Sequence, residues 1–105
     1  MGLFDFIRTG DINAGISQFE QTADAVLLDV RTEEEYEAGH IPKSINIPLD
    51  TIYVVAEMIS NRDIPLFVYC LSGARSSQAV QALKKMGYTQ VKNIGGINQY
   101  NGKVE

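Results

Sequence analysis

The stretch that decides the fold is Leu66-Phe67-Val68-Tyr69-Cys70-Leu71-Ser72-Gly73-Ala74-Arg75-Ser76. It opens with four apolar residues in a row, which is typical of a strand buried on both faces of a parallel sheet. From about Ser76 to Met86 the apolar residues recur three and four apart, which predicts a helix that Gly87 ends. The sequence therefore predicts a strand, a short loop and a helix in direct succession.

Strand and helix patterns alternate along the rest of the chain. We predict strands at residues 26–30, 45–47 and 91–94, a further short strand at 11–13, and helices at 13–22, 32–39 and 51–60. Thr32 and Glu35 have the spacing of a capping box, and Gly39 is expected to stop that helix. We expect the acidic side chains of that helix to form a solvated face: Glu33, Glu34, Glu35 and Glu37. The alternation predicts an α/β domain with a mostly parallel sheet and helices on both faces.

Composition limits the classes of function. The chain has 105 residues, 45% of them hydrophobic, which predicts one packed domain over residues 1–105. The net charge of −4 and the lack of a basic run make nucleic acid an unfavourable partner. The sequence has no apolar stretch of about 18 to 20 residues, so we expect no membrane span.

Single cysteine and histidine residues limit the sites further. With one cysteine no intramolecular disulfide is expected, which suits a reducing compartment, and we expect the protein to be cytoplasmic. With one histidine, His40, we expect no metal site and no cofactor. Residues 1–10 lack the pattern of a signal peptide, and we interpret them as an N-terminal arm that packs on the domain or frays from it.

Cys70 is the residue that points to chemistry. It lies where the strand ends and just before a helix begins, and the carboxyl ends of parallel strands are where such sheets bind ligands. Unpaired N–H groups at the helix start, a permissive glycine at Gly73 and the cation Arg75 all favour an anion. Such surroundings lower a cysteine pKa from about 8.5 to roughly 3.5–7.5. The alternative is a small buried hydrophobe at a strand end; the context of Gly73 and Arg75 favours a reactive thiolate.

Four ordered motifs resemble the rhodanese-like domain family. The Cys70–Ser76 loop is similar to the family's C-x-x-G-x-R-S loop, and residues 28–36 resemble its D-V-R…E-[EF]-[YF] segment. Residues 39–48 resemble the G-H-I-P…N-I-P signature, with Lys43-Ser44 in place of the usual Gly-Ala. Residues 95–97 resemble the G-G-[IVM] segment. The resemblance covers about residues 11–105.

This resemblance implies a three-layer domain with a five-stranded parallel sheet, and a double-displacement reaction. Cys70 is implied to be the nucleophile that takes a sulfane sulfur from a small anion such as thiosulfate. It then passes that sulfur to cyanide or a thiol, including a protein thiol. Arg75 is implied to orient the loop or the anion, and the implied persulfide-binding residues of the loop are Leu71, Ser72, Gly73, Ala74 and Ser76.

Four residues are expected to have structural roles. We interpret Ser76 chiefly as a helix cap. Asp29 and Arg31 end a strand and are expected to form a supporting ion pair. The resemblance implies a structural role for His40 in its turn.

Two other functions compete with sulfur transfer. A cysteine phosphatase needs five residues between cysteine and arginine to admit a phosphate, and only four separate Cys70 from Arg75. A non-catalytic binding or regulatory module is the second alternative, and the presence of both Cys70 and Arg75 weighs against it. The sequence leaves open the physiological donor, the acceptor and the oligomeric state.

Overall fold

The computed structural model describes residues 11–105. The predicted N-terminal arm therefore lies outside the described residues. The helices and strands, in chain order, are α1 Ile12–Glu20, β1 Val26–Asp29, α2 Glu33–Ala38, β2 Ser44–Asn46, a 3₁₀ helix Leu49–Val54, α3 Val55–Met58, β3 Leu66–Cys70, α4 Ala74–Lys85, β4 Val91–Gly96 and a 3₁₀ turn Ile97–Gln99.

The strands form one parallel sheet in the order β2-β1-β3-β4. β1 pairs with β2 and β3, and β3 also pairs with β4, so the two most apolar strands lie at the centre. This confirms the predicted α/β class. Within residues 11–105 the sheet has four strands, so the expectation of five is not met there.

The expected strand at residues 11–13 is wrong because those residues start α1 instead. The carboxylate of Asp11 accepts a hydrogen bond from the N–H of Ala14 at 3.2 Å, which makes Asp11 the N-cap. Asn13, which the sequence suggested as the cap, lies in the first turn. Its side chain instead bonds the carbonyl of Gln99 and the N–H of Asn101, both at 2.9 Å.

Alternating side chains of β3 separate two apolar cores. Phe67 and Tyr69 point to the face that α1 covers, and the alternate residues of β3 point to the face that α3 and α4 cover. Helices thus pack on both faces, as predicted. The buried side chains of the α1 face are Ile12, Ile16, Leu27, Ile41, Phe67, Tyr69 and Ile94. Those of the other face include Leu28, Val30, Val55, Leu66, Val68, Cys70, Ala79 and Leu83.

The predicted helix over residues 51–60 is wrong in type and extent. A 3₁₀ helix begins at Leu49, and only Val55–Met58 is α-helical. Thr51 has φ −119° and ψ 26°, outside the helical region, and its N–H and hydroxyl both bond the carbonyl of Pro48. These local bonds compete with a regular α-helix at the point where the sequence places the helix start.

The turn before β2 shows why the family pattern has glycine there. Lys43 has φ +73°, in the left-handed region that glycine adopts most easily. This chain therefore holds a lysine in a strained conformation at that position. β2 still forms, with Ser44 paired to Leu27 in register.

Candidate active site

Cys70 is the last residue of β3, and α4 begins four residues later at Ala74. Gly73 is the N-cap of α4 with φ +105°, a conformation that requires glycine. The Cys70 side chain is buried at 1% exposure, whereas its neighbour Leu71 is 45% exposed. The thiol therefore lies beneath a thin loop at the carboxyl edge of the sheet.

The loop turns hydrogen-bond donors toward the sulfur. The N–H of Gly73 lies 3.0 Å from the Cys70 Sγ and the N–H of Ser76 lies 3.4 Å from it. The Ser76 hydroxyl oxygen is also 3.4 Å from Sγ. Burial raises the pKa of the Cys70 thiol, but the hydrogen bonds from Ser76, Gly73 and Ser72 outweigh it and leave that pKa below its ordinary value.

Ser76 is not the helix cap that the sequence suggested. It is the third residue of α4, within the first turn, and its hydroxyl is 2.7 Å from Asn93 Oδ1 and 3.0 Å from the Gly73 carbonyl. Asn93 in turn donates to the Gly73 carbonyl at 3.2 Å and accepts from the N–H of Gly95 at 2.9 Å. Asn93 thus connects the loop to β4, and no feature of the sequence singled it out.

Gly95 and Gly96 form the floor on which the loop rests. β4 has a bulge here, because Asn93 pairs with Val68 and Gly95 pairs with Tyr69. A Cβ on Gly96 would lie 2.2 Å from the Leu71 carbonyl oxygen and 2.6 Å from the Ser72 Cα. Only glycine allows this close approach, which gives the Gly-Gly motif a physical reason. The predicted strand ended at Ile94, two residues too early.

Arg75 points its guanidinium at Glu35 of α2. Its Nη1 lies 2.7 Å from Glu35 Oε1, and its Nη2 lies 3.0 Å from Oε2. Glu35 is more than part of the solvated helix face that was predicted: its side chain is 31% exposed, and its carboxylate is also held by Arg75 and by the capping box with Thr32. The Arg75 hydrogen bond is the main reason that the pKa of Glu35 falls to about 2.

Asp29 and Arg31 form a second, buried ion pair at the end of β1. The Arg31 Nη2 lies 2.7 Å from Asp29 Oδ2, and Nε lies 3.0 Å from Oδ1. Arg31 also donates to the Gly39 carbonyl at 2.8 Å. Neither residue shares a hydrogen bond with the Cys70 loop, so the pair braces the strand end and the turn after α2.

His40 lies in contact with Tyr36, away from the sulfur. The two rings stack with centroids 3.7 Å apart, and His40 Nδ1 donates to the Tyr36 carbonyl at 2.9 Å. The His40 backbone pairs in both directions with Glu105. In residues 11–105 no group of three or more His, Cys, Asp and Glu side chains is arranged to hold a metal ion. No helix of this region is long and apolar enough to cross a bilayer.

Comparison with known proteins gives a consistent result. The sequence profile of the rhodanese-like domain matches residues 15–103. The chain is 39% identical to thiosulfate sulfurtransferase PspE of Escherichia coli over 71 residues, which is 67% of this chain and 68% of PspE. It is also 39% identical to the uncharacterized protein YqhL of Bacillus subtilis over 82 residues, or 77% of this chain. The match spans 64% of the length of YqhL, and a match to the putative sulfur carrier protein YrkF of the same organism spans 43% of YrkF.

Solved structures agree with the sequence matches. A rhodanese with anions from E. coli superposes with a TM-score of 0.72 at 34% identity, covering 77% of this chain and 96% of that one. Thiosulfate sulfurtransferase from Pseudomonas aeruginosa superposes with a TM-score of 0.76 at 27% identity, covering 92% of this chain and 20% of that one. The family match over residues 15–103 includes β1, β3, α4 and the Cys70 loop. This chain belongs to the rhodanese-like domain family.

Proposed function

We propose that this chain is a sulfurtransferase that carries sulfur as a persulfide on Cys70. In the first step the Cys70 thiolate bonds the outer sulfur of a donor such as thiosulfate, the S–S bond of the donor breaks, and sulfite leaves with the electron pair. In the second step cyanide or a thiolate bonds the outer sulfur of the persulfide, and the Cys70 thiolate leaves. The two half-reactions return the enzyme to its starting state.

One observation carries this proposal: N–H groups of Gly73 and Ser76 converge on the Cys70 Sγ at 3.0 and 3.4 Å. These donors favour the thiolate, which is the nucleophile, and they favour a persulfide anion for the same reason. The Ser76–Asn93 and Asn93–Gly73 hydrogen bonds tie both donor residues to β4. The role of Arg75 in the proposal is indirect, through the loop geometry and the charge balance with Glu35.

Intact-protein mass spectrometry tests the proposal. The protein is treated with thiosulfate, desalted and weighed, and we expect the wild type to gain the mass of one sulfur atom. Cys70→Ser should gain none, and adding cyanide to the labelled wild type should remove the sulfur as thiocyanate. A wild type that takes up no sulfur from thiosulfate or from any other sulfane donor would contradict the proposal.

The burial of Cys70 favours a second candidate, a rhodanese-like module that binds a partner without sulfur transfer. A residue at 1% exposure is reached by a donor only if the groups around it move aside. The mass measurement distinguishes the two candidates, since a binding module would remain unlabelled even after long incubation. Turnover of a generic aryl phosphate would instead favour the phosphatase alternative.

The proposal also covers the sulfur acceptor and the cellular location. We expect the acceptor to be cyanide, a small thiol or a thiol of another protein. The relatives in which a similar domain is part of a longer chain, such as the tRNA uridine(34) hydroxylase of Citrobacter koseri, match over only 29% of their length. A single thiol that must stay reduced fits a cytoplasmic location.

A further inference from the structure

The charge of the Cys70 loop is balanced by a residue outside it. Arg75 is the only cationic residue between positions 70 and 76. Both of its terminal nitrogens bond the carboxylate of Glu35, at 2.7 and 3.0 Å. An anion that approaches the loop therefore meets an arginine whose charge is already neutralised.

Glu35 is fixed in this position by more than Arg75. Its Oε1 also accepts hydrogen bonds from the N–H and the hydroxyl of Thr32, each at 3.1 Å. The hydrogen bond from Arg75 holds the pKa of Glu35 at about 2, so the carboxylate stays ionised near neutral pH. An incoming anion must therefore compete for Arg75 with the Glu35 carboxylate, which is fixed by several hydrogen bonds and is ionised.

The rest of the loop offers no compensating charge. Leu71, Ser72 and Ala74 are exposed and uncharged, and the nearby Arg31 is buried against Asp29. The backbone N–H groups at Cys70 suit one negative charge on a sulfur atom. If a donor carries a second negative charge, the loop offers no unpaired cationic side chain to bind it.

We propose that Glu35 determines donor specificity: by neutralising Arg75 it disfavours doubly charged sulfane donors and favours donors with at most one negative charge, of the organic persulfide class. This inference rests on the proposed sulfur transfer at Cys70. With such a donor the Cys70 thiolate bonds the terminal sulfur of R–S–SH, the S–S bond breaks, and R–S⁻ leaves with the electron pair. The products are the Cys70 persulfide, which keeps the proton or loses it to water, and a thiolate.

Two donors with the same reacting group and different charge test the inference. Thiosulfate carries two negative charges and releases sulfite, whereas methanethiosulfonate carries one and releases methanesulfinate. We would measure kcat/KM for each donor, with cyanide as acceptor, in the wild type and in Glu35→Gln. Glutamine can still accept from Thr32 and so preserve the capping box. Glu34→Gln is the matched control, because Glu34 is exposed on the same helix and changes the net charge equally.

The expected effect follows from Coulomb's law. One unit of charge at roughly 8 Å in water is worth about 0.5 kcal/mol per donor charge, so kcat/KM should rise about fivefold for thiosulfate and about twofold for methanethiosulfonate in Glu35→Gln. The ratio of the two values should thus rise about twofold, and the gain should shrink in high salt. Glu34→Gln should leave the ratio close to that of the wild type.

The possible failures are distinguishable. If both donors label Cys70 and the ratio is the same in Glu35→Gln as in the wild type, the specificity inference is wrong and sulfur transfer stands. An unchanged ratio that comes with an equal loss of kcat/KM for both donors would in addition indicate a structural role for Glu35. If neither donor adds sulfur to the wild-type protein by mass, the proposed function fails, and the inference fails with it.

Discussion

Two arginine–carboxylate pairs lie at the same end of the sheet, and they differ in burial. The Asp29–Arg31 pair is almost entirely shielded, with side-chain exposures of 0% and 6%. The Glu35–Arg75 pair is partly exposed, with side-chain exposures of 31% and 33%. Both arginines bond their partners through two nitrogens, so hydrogen-bond geometry is not what separates them.

The difference in burial gives the two arginine–carboxylate pairs different consequences for folding. A buried pair must keep both members, because one charge left without its partner in a low-dielectric interior is costly. An exposed pair contributes little to folding, since water and salt screen it. The buried pair therefore holds the end of β1 and the turn after α2, whereas the partly exposed pair is the one to which we assign donor specificity.

The largest expected effect on stability comes from breaking the buried Asp29–Arg31 pair. Asp29→Asn should lower the free energy of unfolding by about 3–5 kcal/mol, because it leaves the Arg31 charge buried without its counter-ion. Chemical denaturation measures this change, with Asp50→Asn as an exposed control. A loss below about 1 kcal/mol would show that burial does not separate the two pairs.

The next largest effect is expected at Gly96, on which the Cys70 loop rests. Gly96→Ala should cost about 1–3 kcal/mol and disrupt sulfur uptake by Cys70, because the new Cβ would overlap the backbone of Leu71 and Ser72. Denaturation and the persulfide mass measurement check the two parts. Ser77→Ala, at an exposed position of α4, is the control. Unchanged labelling would mean that the loop can move off Gly96 without losing its geometry.

A smaller effect is expected from the hydroxyl beside the sulfur. Ser76→Ala removes the hydrogen bonds to Asn93 and Gly73, and it should cost about 1 kcal/mol. It should also raise the pKa of the Cys70 thiol toward its ordinary value, since the Ser76 hydroxyl helps to lower it. The rate of alkylation as a function of pH measures that pKa, again with Ser77→Ala as control. An unchanged pH profile would assign the whole effect to the backbone N–H groups.

The smallest effect on stability is expected at the exposed pair. At pH 7, Glu35→Gln should lower the free energy of unfolding by less than about 1 kcal/mol. The pKa of Glu35 is about 2 in the folded protein, below its ordinary value of 4.5. The unfolded state therefore binds more protons between these values, so the wild-type advantage is full above about pH 4.5 and is lost as the pH falls toward 2. Denaturation at several pH values, with Glu34→Gln for comparison, measures it; a pH-independent difference would contradict the assignment.

Much of the fold followed from apolar patterns that are local in sequence. The central strands, the capping box at Thr32 and the helix after the Cys70 loop were all predicted, because burial and capping leave clear local signals. The predictions of secondary structure were wrong where side-chain hydrogen bonds to the nearby backbone determine whether a helix begins or is interrupted. Asp11 caps a helix where a strand was expected, and Thr51 interrupts one where a continuous α-helix was expected.

By itself the sequence determined that Cys70 stands between a buried strand and the start of a helix, because the apolar run at residues 66–69 and the apolar stripe that follows are local signals; the helix begins at Ala74, two residues before the predicted start. The tertiary structure decided which distant side chains complete that site. Glu35 lies 40 residues before Arg75, and Asn93 lies 20 residues after Gly73. Their contacts depend on how α2 packs beside the loop and on the register of β4 against β3. Local apolar and capping patterns do not specify which distant side chains such packing brings together.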